Sequence, residues 1–90
     1  MFFQFFNIWN INIRKPIIFN FFDTADTYGL GEGEKILGQA LNKNINDVII
    51  ATKFGVRIIN GETIYDNSPT WIRTALENSL KRLGRDYIDI

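Results

Sequence analysis

From residue 17 onward, short apolar runs alternate with longer stretches of helical spacing, and this alternation is what most constrains the fold. IIFNFFDTA closes on Asp23 and reads as a strand buried in a parallel sheet. A connection through Gly29, Gly31 and Gly33 leads to a helix reaching about Leu41, with Ile36, Leu37, Ala40 and Leu41 on one face. DVIIATK, bounded by Asp47 and Lys53, is a second strand, and its lack of alternation predicts burial on both faces. VRIINGETIY then carries a hairpin signal at Asn60-Gly61. The next helix is the best punctuated: Asn67 or Ser68 caps it, Pro69 sits in its first turn and Gly84 stops it. Ile72, Ala75, Leu76, Leu80 and Leu83 form its apolar stripe, and YIDI begins a third strand. The order predicts an α/β fold with about three parallel strands and two helices, joined by right-handed crossovers. The alternation fits an open sheet and a closed barrel equally.

The first twenty residues differ. Phe, Ile and Asn fill fourteen of those positions with no clean period of two or 3.6, so residues 1–20 are set apart from 21–90 as a low-complexity segment. Polar residues from Gln4 to Lys15 interrupt every apolar run, which argues against a membrane span, and the order of charge and apolar run does not suit a signal peptide. Ten basic and ten acidic residues cancel, leaving no basic stripe for nucleic acid. Cysteine and histidine are absent, so a thiolate or histidine metal site and a Ser-His-Asp triad are excluded within this chain. No metal is expected, and the composition suits a cytoplasmic protein.

Asp23 and Lys53 each close a parallel strand, and Tyr28 lies on the loop after the first. Carboxyl ends of parallel strands share one rim, so a carboxylate, a phenol and an ammonium are expected to meet there. A phenol releases its proton reluctantly at neutral pH; a nearby ammonium favours the release, and a carboxylate keeps the ammonium charged and oriented. The trio therefore suits a general acid that protonates a carbonyl oxygen as hydride reaches its carbon. Singly, each residue has an ordinary reading as a cap, a packed ring or a solvated cation. Phe54, Tyr65 and Trp71 are candidates to line a substrate pocket, set against simple packing. YGLGEGE does not match the dinucleotide fingerprint, because Glu34 stands where its last glycine belongs.

FFDTADTYG, GEKILGQAL, VIIATKFG and SPTWIRTALENSLKRLGRDYIDI resemble consecutive blocks of the aldo-keto reductases, in family order and spacing. The resemblance covers residues 21–90, from the family's second strand to the start of its fourth. It implies part of a (β/α)8 TIM barrel, NADPH as cofactor and a small carbonyl substrate, aldehyde or ketone, reduced to an alcohol. By the same resemblance Asp23, Tyr28 and Lys53 fall on three members of a catalytic tetrad, with Tyr28 the proton donor. The fourth member, a histidine, and the main cofactor-binding segments would lie beyond Ile90. The expectation is thus a fragment of an oxidoreductase, inactive alone, with open sheet edges that invite self-association. The alternatives are a non-catalytic module like the channel-associated β subunits, and a gene remnant without function.

Overall fold

The computed structural model describes residues 4–8 and 18–90, with side chains from Asn20 onward. Strands β1 (Gln4–Ile8), β2 (Ile18–Asp23) and β3 (Ile49–Ala51) form one sheet in that order. β2 and β3 run parallel, with Phe21, Phe22 and Asp23 opposite Ile49, Ile50 and Ala51. β1 pairs antiparallel with β2 on its other side, so part of the Phe/Ile/Asn-rich segment joins the sheet. The rest of that segment lies outside the described residues.

Helices α1 (Glu32–Leu41) and α2 (Pro69–Leu83) pack against each other and cover one face of the sheet. Phe22 and Ile50, neighbours across the parallel pair, meet Leu37, Val48 and Leu83 in the core. Leu83 is 1% exposed and Ile50 fully buried, each contributing about 1.5–3 kcal/mol. The opposite face is open. Ile49 is 40% exposed while Ile50 and Ala51 are buried, so β3 is uncovered at its start instead of being covered on both sides throughout, as its composition predicts. The α1 stripe is also narrower than predicted, because Ala40 is exposed.

The predicted punctuation of α2 is present. The Ser68 hydroxyl accepts from the Trp71 amide at 3.2 Å, Pro69 opens the helix, and Gly84 closes it at φ 70°. The predicted hairpin forms from β4 (Val56–Ile59) and β5 (Glu62–Tyr65). Its turn residues Asn60 and Gly61 both adopt positive φ, 52° and 80°, as a two-residue turn of this hand requires.

Residues 87–90 run alongside β3. The Ile90 amide donates to the Ile50 carbonyl at 3.3 Å, and the Thr52 amide to the Ile90 carbonyl at 3.1 Å. That stagger is the parallel pattern, so YIDI begins a third parallel segment as the sequence predicts. Asp89 holds it there, accepting from the Ile50 amide at 2.9 Å and from Arg85 at 2.8 Å. The fold is an α/β part of a barrel wall, not a closed barrel.

Candidate active site

Asp23 ends β2, and Lys53 lies two residues past its register partner Ala51, on the same side of the strand. The amides of Thr24 and Asp26 donate to the carbonyls of Ala51 and Lys53, at 2.9 and 3.2 Å, and carry the two chains together past the sheet. Lys53 Nζ consequently donates to Asp23 Oδ1 at 2.7 Å and to the Thr24 carbonyl at 2.9 Å. With the lysine side chain 53% exposed, this pair adds little to stability and mainly fixes where the ammonium sits.

Tyr28 opens a tight turn, Tyr28–Gly31, between β2 and α1. The Lys53 ammonium stands 5.8 Å from its ring centroid, and no hydrogen bond joins the ammonium to the phenol oxygen. A Cβ on Gly33 would come within 3.1 Å of the Tyr28 carbonyl and its Cβ, so that glycine lets α1 seat the tyrosine backbone. A Cβ on Gly31, at φ 100°, would meet Arg82 Cδ at 3.0 Å. The space beside both glycines is taken by protein.

Phe54, 52% exposed, joins Lys53 in lining a cavity of about 250 Å³ walled by Ile72, Leu76 and Ile88. Trp71 lines a different cavity, of about 460 Å³, under the hairpin. Tyr65 is 80% exposed and lines neither. The structure thus brings Asp23, Tyr28 and Lys53 together, sets Phe54 in a cavity that Lys53 lines but Asp23 and Tyr28 do not, and keeps Trp71 elsewhere.

Sequence reasoning missed two carboxylates. Glu34, in the first turn of α1, is fully buried. It accepts from Thr52 at 2.7 Å, Ser79 at 3.1 Å and Arg82 Nε at 2.8 Å, tying α1 to α2 and to the residue before Lys53. Glu34 shares the stripe of Leu37 and Leu41, and a charge on an apolar stripe was the legible signal. Asp26 lies between Asp23 and Tyr28 on the loop. Burial first, then the nearby Glu34 charge, pushes its carboxyl up to about 6, with Arg82 opposing.

Residues 17–90 match the family model described as the aldo/keto reductase family. The chain belongs to the aldo/keto reductase family. It is 42% identical over 73 residues to the uncharacterized oxidoreductase YqkF of Bacillus subtilis, covering 79% of this chain and 24% of that protein. A probable aldo-keto reductase of Glycine max is also 42% identical, over 78% of this chain and 21% of its own length. The holo form of an aldo-keto reductase from Bacillus halodurans superposes with a TM-score of 0.73 at 42% identity, covering 78% of this chain and 24% of that one. The chain therefore spans about a quarter of the length of the relatives it matches.

Family membership makes the chain part of an aldo/keto reductase fold. No helix among the described residues is long and apolar enough to cross a membrane.

Proposed function

We propose that this aldo/keto reductase segment carries the proton-delivering part of an NADPH-dependent carbonyl reductase acting on aldehydes or ketones in the cytoplasm. The observation behind the reading is the convergence of Asp23, Lys53 and Tyr28 at one rim of the sheet. Tyr28 donates its phenolic proton to the carbonyl oxygen as that oxygen gains negative charge. Lys53 then offsets the charge left on the phenol, and Asp23 holds the ammonium in place at 2.7 Å. Phe54, beside Lys53, offers an apolar surface to the substrate.

When bound, NADPH supplies the hydride. The residues assigned here handle the proton. The chain contains no histidine to complete the tetrad of the family. On that ground it is expected to be inactive by itself.

A chimera tests the assignment: residues 21–90 replace the matching segment of the Bacillus subtilis oxidoreductase, and carbonyl reduction is followed with NADPH and NADH. Tyr28→Phe should reduce kcat by roughly 10²–10⁴-fold while cofactor binding persists. Turnover retained in that variant would end the role given to Tyr28.

A further inference from the structure

The cavity under the hairpin lies outside the chemistry above: Asp23, Tyr28 and Lys53 do not line it. Its volume of about 460 Å³ is within the range of small-molecule sites. Leu30, Val56 and Ile58 give it apolar walls, and Asp26, Trp71 and Asn78 bring polar atoms. Of these, one is unsatisfied, and another takes hydrogen bonds from the Asp26 and Thr27 amides but has no ion pair. The indole N–H of Trp71 is buried without an acceptor. Asp26 has no cationic side chain within ion-pair distance among the described residues, whereas both cavity-lining arginines are engaged. Arg57 pairs with Asp66 at 3.2 Å and lies 4.2 Å from the Trp71 ring centroid, and Arg82 pairs with Glu34 at 2.7 Å.

The charges around the cavity are therefore Arg57 on β4, paired with Asp66, Arg82 on α2, paired with Glu34 on α1, and Asp26, which has no ion pair of its own and only the nearby Arg82 to oppose its charge. The site has one carboxylate without an ion-pair partner and one donor lacking an acceptor. Both needs are met by a ligand with an ammonium and an oxygen acceptor on a compact apolar body.

We infer that this cavity is a binding site for small aryl or alkyl amino alcohols and related amines, whose ammonium pairs with Asp26 and whose oxygen accepts from the Trp71 indole. The site stands apart from the proton-delivery reading, since binding here requires no turnover. The raised Asp26 carboxyl adds a pH signature: its charge, and with it the amine's affinity, falls away below about pH 6.

Equilibrium dialysis of the 90-residue chain against 2-amino-1-phenylethanol tests this in any association state, with 1-phenyl-1,2-ethanediol as the uncharged counterpart. The amine should bind at least tenfold more tightly than the diol at neutral pH. Its affinity should fall about tenfold between pH 7 and pH 5, as the Asp26 carboxyl becomes protonated. Asp26→Asn should abolish both the preference and the pH dependence, and Trp71→Phe should weaken amine and diol alike. Equal binding of amine and diol by the unsubstituted chain, or amine binding that does not vary with pH, overturns the inference without bearing on Tyr28. A failure of the Tyr28→Phe test would leave it standing.

Discussion

Asp26 sits where its surroundings oppose its charge, and this has a consequence for stability. Its carboxyl titrates near 6 in the folded chain, against 3.8 for the free group, because burial and Glu34 disfavour the anion. Between those two values the unfolded chain has released the proton and the folded chain still holds it. Stability from this group therefore falls as pH rises through that window and levels off above about 6. Asp26→Asn should remove the penalty, stabilising the fold by about 1 kcal/mol at neutral pH once solvent screening of a partly exposed group is allowed for. Below about pH 4 the variant and the parent should differ little, and urea unfolding at the two pH values measures the contrast. Asp23 and Lys53 were legible in the sequence, because a charged residue closing an apolar run marks a strand's carboxyl end. Asp26 was not: its acidity depends first on burial and then on Glu34 in α1 and Arg82 in α2, which only the folded packing sets beside it.

The elements owe their placement to local chemistry where turns decide and to close approach where helices meet. Ser68, Pro69, Asn60, Gly61 and Gly84 act through their own backbones, so the α2 boundaries and the hairpin could be read directly. The uncovered face of β3 could not be read, since residues 47–53 encode an apolar run and not what lies over it. Gly38 belongs to the second kind. A Cβ there would lie 2.5 Å from the Leu83 carbonyl oxygen and 2.8 Å from its carbon, both backbone atoms at the end of α2. Alanine normally gains up to about 1 kcal/mol over glycine inside a helix. Here the clash should outweigh that gain, because the obstacle is a helix backbone and cannot rotate aside. Gly38→Ala is expected to lose roughly 1–3 kcal/mol by thermal or urea unfolding. A stabilised Gly38→Ala variant would mean that α1 and α2 are farther apart than described.

At the scale of the whole molecule, two helices cover one face of the sheet and nothing among the described residues covers the other. Ile49 on that face is 40% exposed, and the segment beside β3 exposes 43% of Tyr87 and 68% of Ile90. β1 pairs with one side of β2, so the open edge expected there is occupied, while the apolar face remains. In relatives more than three times as long, a parallel barrel sheet is covered on both faces. In the chain alone the face has only water or another copy to meet, and burying apolar area at about 25 cal/mol per Å² favours the copy. The chain should therefore sediment as a concentration-dependent oligomer and bind a hydrophobic dye. Ile49→Lys should shift it toward monomer with the helical circular-dichroism signal unchanged, because the side chain lies on the face away from α1 and α2. If Ile49→Lys leaves the sedimentation distribution as it was, the association runs through the exposed Ile58, Ile59 and Ile64 of the hairpin or not at all.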